Sequence, residues 1–222
     1  MIASRMAILT IAWAMAGMST LCGADFSSYR GFHFGMTLAA GAKRAGTVVK
    51  VIHQRPALIQ EVDWRPASMI DSTKADPVQG GTLAFFNGEL YRIDVIYDRY
   101  KVEGMTAADM VKAISTIYGV ATEPGVDIPY HSNYGEVTPV LARWEDPQYS
   151  YDLIQTGNRS SFALIMYSKR LDALAQAAIA ESIRQDALDA PQKALDLQNK
   201  RDEESRVKLE KTRSANLANF QP

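Results

Sequence analysis

Two residues, Asn87 and Gly88, constrain this chain more than any others. They separate two apolar runs, and Asn-Gly is the preferred pair for a two-residue hairpin because a type I′ turn needs positive φ at both positions. Residues 82–86 and 89–97 are therefore predicted to pair as antiparallel strands. In the second run Tyr91, Ile93, Val95 and Tyr97 are expected on one face, with Leu90, Arg92, Asp94 and Ile96 on the other. One apolar face opposite a mixed one suits an antiparallel sheet.

Two helix starts flank this hairpin. Thr37 predicts an N-cap for a helix over residues 38–45, with Gly46 as its stop. Thr106 predicts a second, in which Met110, Val111, Ile114, Ile117 and Tyr118 recur at helical spacing before Gly119. Phe32 and Phe34 alternate as in a short strand or a strap over the core. Further strand signals cover residues 48–52, 58–64, 140–144, 149–154 and 162–167, with polar loops over 65–80 and 123–136.

The chain also matches itself. Gly35-Met36-Thr37 recurs as Gly104-Met105-Thr106, 69 residues on, and Asp76-Pro77 recurs as Asp146-Pro147, 70 on. Leu83 meets Leu153, and the turn Asn87-Gly88 meets Gly157-Asn158. Ile93, Val95 and Tyr97 meet Ala163, Ile165 and Tyr167. Order, spacing and structural role are kept together, which is the signature of an internal repeat. The expectation is an α+β fold of two tandem repeats, residues 25–103 and 104–170. Each is one helix and a three-stranded antiparallel meander, and the two share or abut a sheet.

A C-terminal helix is expected over residues 171–190, with Leu171, Leu174, Ala178, Ile179, Ile183, Ala187 and Leu188 as its apolar stripe. Pro191 is expected to interrupt it. Residues 191–222 read as a charged tail, either exposed helix or disordered, in which Asp202–Arg206 and Glu204–Lys208 have helix-supporting spacing.

The Gly-Met-Thr helix start, followed by a meander whose hairpin runs into Leu90-Tyr91-Arg92-Ile93-Asp94-Val95, resembles the small envelope domains of the BamE/SmpA type. Two such units in tandem are similar in layout to the β-lactamase inhibitor protein fold. The resemblance covers residues 34–167. It implies binding of other proteins through an exposed sheet face, without catalysis, and no binding residue is carried over from it. The charged tail belongs to neither pattern.

Compartment is read from the N-terminus. Arg5, an uncharged apolar run over residues 6–21, and the small residues of Cys22-Gly23-Ala24 have the layout of a signal peptide over 1–24, cleaved after Ala24. The run is shorter than the roughly 20 residues a spanning helix needs, so no transmembrane segment is expected in the mature chain. Cys22 is the only cysteine. Lipoprotein anchoring through it is the weaker alternative, because Leu21 stands where a small residue belongs. Cleavage after Ala24 leaves no thiol, and the fold then rests on its core.

A net charge of −1 gives no electrostatic reason to expect nucleic acid. His33, His53 and His131 share no metal-ligand spacing, and no cofactor is expected. Asp127, His131 and Ser132 sit together in one loop, whereas catalytic triads assemble from separated segments. The aromatic residues Trp144, Tyr149 and Tyr151, beside Arg143, are the candidate protein-binding patch, if their face of the sheet is open. The functional expectation is an exported, non-catalytic module binding a protein or cell-envelope component through its sheet. The alternatives are a secreted hydrolase with a site in residues 127–136, or a structural envelope protein.

Overall fold

The Asn87–Gly88 turn forms as its residue types require, with φ of 49° at Asn87 and 86° at Gly88. It joins β5 (Val78–Phe86) to β6 (Glu89–Tyr97). The computed structural model describes residues 24–66, 76–122, 127–129, 137–156, 161–219 and 221. Before the turn, β4 (Ile59–Trp64) pairs with β5, and β3 (Val49–His53) adds an edge. In the second half β8 (Val137–Glu145), β9 (Tyr149–Thr156) and β10 (Ser161–Ser168) form another meander. The short β7 (Asp127–Pro129), within a segment expected to be loop, pairs along β8.

The two meanders join through their last strands. β6 and β10 pair antiparallel, with Ile93 opposite Met166 and Val95 opposite Leu164. All these strands therefore belong to one antiparallel sheet of order β3-β4-β5-β6-β10-β9-β8-β7. The meanders share a sheet, and each has an edge strand beyond the three expected. A separate ribbon, β1 (Ser28–Tyr29) with β2 (Phe32–His33), supplies the strap predicted near Phe32.

Helices α1 (Leu38–Ala45) and α2 (Ala107–Tyr118) start and stop where their caps dictate. The Thr37 hydroxyl accepts from Ala40 N–H, and Gly46 ends α1 with φ 69°. Thr106 and Asp109 form a reciprocal capping box at α2, a device that contributes about 1 kcal/mol through its N-cap. Both helices and the ribbon cover one face of the sheet. There Leu83, Ile93, Met166, Tyr151 and Trp144 form a continuous row of buried side chains across β5 to β8.

The other face carries α3 (Lys169–Asn219), which follows β10 directly. Its Leu171 and Ala175 are buried against Ile59, Ala84 and Tyr91, with Ile179 beside them. The Ser182 hydroxyl lies 3.1 Å from His53 Nδ1. The stripe used is thus 171, 175, 179 and 182, while Leu174, Ile183 and Leu188, expected to be buried, are exposed. Small residues at 175 and 182 let the helix sit close to the sheet. α3 also runs through Pro191 instead of stopping there. Lys193 reaches back over the proline to Asp186 at 2.9 Å, so one side-chain pair bridges the turn that lacks a backbone donor, and Arg55 pairs with Asp186 and Asp189 just before it. Farther along, Arg206 pairs with Glu203, not with Asp202.

The alternation expected in β6 fails at one residue. Ala84 pairs with Arg92 but Phe85 with Leu90, so Tyr91 is the extra residue of a β-bulge. Leu90 consequently faces α1 and α2 with Ile93 and Val95, and Tyr91 faces α3. The offset of 70 read from the sequence does not keep the faces in this strand. Ala163 and Ile165 lie on the α3 side, opposite to the face of Ile93 and Val95.

Residues 1–23 of the expected leader, with Cys22, and the pair Gly157-Asn158 lie outside the described residues. Among the described residues no helix is long and apolar enough to cross a membrane.

Candidate functional site

The four residues of the candidate patch do not lie together on an open face. Trp144 is 1% exposed and Tyr151 0%, because α2 and the N-terminal segment cover the face they occupy. Trp144 Nε1 donates to Gly119 O at 3.1 Å and to Ser115 Oγ at 3.2 Å, tying β8 to the end of α2. The Tyr151 hydroxyl donates to Ser28 O at 3.0 Å. Tyr149 is half-buried and stacks on Phe34 with ring centroids 5.2 Å apart. Arg143 is on the opposite side of the sheet, where it grips Asp152 with bonds of 2.6 and 2.7 Å. Aromatic residues at inward strand positions are core here.

Of the histidines, His33 is exposed in β2 and His53 contacts Ser182. His131 and Ser132 lie outside the described residues. Among the described residues no group of three His, Cys, Asp or Glu side chains is placed to hold a metal ion.

The α3 face holds a buried polar network. Arg92, 2% exposed, donates to Asp94 at 2.8 Å and lies 4.0 Å from Asp172 of α3. Asp152 accepts from Arg143, from the Tyr167 hydroxyl at 3.0 Å and from Ser150 at 3.3 Å. Each carboxylate is answered by donors, which is the condition for burying charge without great cost. Burial pushes the Asp172 carboxyl above its ordinary value, against the opposing pull of Arg92. These groups are occupied with one another, and the Arg92–Asp172 contact joins α3 to the sheet.

A cavity opens on the other face. It has a volume of about 490 Å³, within the ~300–1,000 Å³ range of small-molecule sites. One wall is α2, which contributes Met110, Ala113, Ile114 and Ile117 at the spacing that puts them on one side of a helix. The opposite wall is the sheet centre, with Val78 of β5, Tyr97 of β6 and Leu164 of β10. Val102, Met105 and Lys101 close one end from the loop before α2. That loop is fixed by Asp98 O, which accepts from Lys101 N and Val102 N at 2.9 and 3.1 Å.

The other end is the corner formed by Tyr29, Arg30 and Tyr118. Arg30 sits at the β1–β2 turn with φ 49°, and the Asp76 carboxylate accepts from both of its terminal nitrogens. Asp76 Oδ1 also accepts from Val78 N at 2.9 Å, so the pair is anchored to the start of β5. The Arg30 guanidinium lies 5.4 Å from the Tyr29 ring centre and 5.9 Å from that of Trp64. Tyr118 packs edge-on against Tyr151 at 4.9 Å and stacks with Phe26 at 5.6 Å. Burial pushes the Tyr29 hydroxyl up to about 12 and raises Tyr97 and Tyr118 as well. All three phenols therefore stay protonated near neutral pH and can donate hydrogen bonds.

Sequence reasoning did not single out this cavity. Tyr29 and Arg30, Tyr97, Lys101 and Tyr118 belong to four separate segments, and no spacing rule links them. The only sequence signal was the strap, which predicted that residues near Phe32 lie over the core. Comparison of the chain with protein-family models, with curated proteins and with solved structures found no match.

Proposed function

We propose that this protein is an exported, non-catalytic binding module of the cell envelope that takes an apolar small molecule into the cavity between α2 and the sheet. The observation that carries this reading is the cavity itself. Small-molecule sites are concave and mostly apolar, with a few polar groups that fix orientation. Here the space is lined by Val78, Ile114, Leu164 and the adaptable side chains of Met105 and Met110. Phenols held protonated are poor bases, which favours binding over proton-transfer chemistry. The binding element is then a half-open cleft between α2 and the sheet, not an open sheet face. Of the aromatic residues first considered, Tyr151 packs on Tyr118 and Trp144 bonds to Ser115 and Gly119 at the end of α2, while Tyr149 stacks on Phe34 and does not line the space.

The proposal includes the tandem origin of the fold. Thr37 and Thr106 cap equivalent helices, and both meanders join through their last strands. Beyond the Tyr91 bulge an offset of 69 sets Ile93 and Val95 against Phe162 and Leu164, which share their face. A second reading, a structural protein with α3 as a spacer, is favoured by that helix, in which every described residue from Ala190 onward is exposed.

The test is saturable binding of the neutral apolar fluorophore N-phenyl-1-naphthylamine to the full chain. Ala113→Trp, on an exposed stretch of α2, places an indole in the cavity and is expected to weaken binding about tenfold or more. The melting transition should be retained. Absent binding in the wild type, or binding unchanged by the substitution, overturns the reading.

A further inference from the structure

We infer that the cavity is built for a free single-chain amphiphile with a carboxylate head, the head at the Tyr29–Arg30 corner and the chain along α2. This inference rests on the cavity being the binding site, and adds the chemistry of its ligand. Its lining contains two cationic side chains, Arg30 and Lys101, and no acidic one. Asp76 stands behind Arg30 and not in the lining, and takes two of the five N–H donors that a guanidinium carries.

The remaining polar groups of that corner are protonated phenols. An ionised carboxylate is a hydrogen-bond acceptor only, so it complements a corner whose charged groups only donate and whose phenols can donate. An ammonium head at this corner meets the like charge of Arg30 and finds no acidic side chain in the lining. A neutral alcohol can hydrogen-bond but forgoes the charge-assisted gain. From the corner, Val78, Val102, Met105, Met110, Ile114 and Leu164 continue the cavity as an apolar surface for the chain.

Head preference is read by displacing bound N-phenyl-1-naphthylamine with dodecanoate, dodecan-1-ol or dodecyltrimethylammonium, each below its micelle concentration. Vesicles of an anionic diacyl phospholipid form a fourth arm. Dodecanoate is expected to displace the probe at roughly tenfold lower concentration than the alcohol, the factor expected of a charge-assisted hydrogen bond. The cation should be weaker still, and the vesicles inactive. Arg30→Gln should reduce the advantage of dodecanoate over dodecanol, read as a ratio within the variant so that any change in probe affinity cancels, whereas Lys101→Gln at the opposite end should leave that ratio unchanged. If Arg30→Gln does not fold, Tyr118→Phe, which removes one donor from the corner, decides by the same ratio. Equal displacement by the three heads, preference for the cation, or displacement by vesicles alone overturns the inference. With probe binding intact, any of these leaves the cavity reading standing. Loss of probe binding by the wild type removes both.

Discussion

Tyr91 is the residue at which strict alternation stops describing the chain. The bulge puts Tyr91 and Arg92 on the same side of β6, so the α3 face receives a buried phenol next to a buried guanidinium. Asp172 descends from α3 onto this pair, and its raised carboxyl pKa makes α3 docking sensitive to pH. A carboxyl whose folded pKa lies above its unfolded value binds its proton more tightly in the folded state. Its stabilisation is complete below the ordinary value of 3.8 and is lost as pH rises through the raised folded value. Asp172→Asn stays neutral throughout. Denaturant unfolding of both proteins between about pH 3 and about pH 7 should therefore show the variant gaining on the wild type as pH rises. A difference that is constant, or that moves the other way, means attraction to Arg92 outweighs burial. None of this was legible in sequence, because a period of two cannot reveal where one extra residue enters a strand. Trp144 and Tyr151 failed for a related reason. Alternation placed Tyr151 on one face with Tyr149, but the covering of that face depends on α2 and on Phe26, more than a hundred residues from Tyr151 along the chain.

At the scale of elements, local chemistry was a good guide wherever a cap or a turn set the boundary. α1 runs from Leu38 to Ala45 between Thr37 and Gly46, and the Asn87–Gly88 turn has the geometry its residues demand. Elements bounded only by composition were read less well. Proline in a helix interior costs about 3 kcal/mol, which argued for an end at Pro191, yet α3 continues, with Lys193 paired to Asp186 across the break and Arg55 holding Asp189 just before it. The helix is 51 residues, about 76 Å at 1.5 Å per residue, and only its first third touches the sheet. Exposed ion pairs contribute little to stability. Deleting residues 191–222 is therefore expected to leave the melting transition of the body unchanged and probe binding intact. A large loss of stability on truncation would show that the outer part of α3 holds the fold, contrary to its exposure.

For the whole molecule, the decisive pairing is β6 with β10, which fuses two meanders into one sheet and brings Val78, Tyr97 and Leu164 to a common end beneath α2. The repeat offset pointed to two similar halves but not to this junction, because strand order between distant segments leaves no periodic trace. The cavity follows from the junction: α2 spans the end of the first meander and the last strand of the second, and the β1–β2 ribbon with Arg30 completes the corner. The central claim is that this space is where the protein binds. It is tested most directly by methyl NMR of Met-, Ile- and Leu-labelled protein titrated with N-phenyl-1-naphthylamine. The account predicts saturable shifts at Met105, Met110, Ile114, Ile117 and Leu164, with Ile59 and Leu171 on the α3 face unmoved. Shifts confined to Ile59 and Leu171, or to the exposed edge at Ile52, would contradict it.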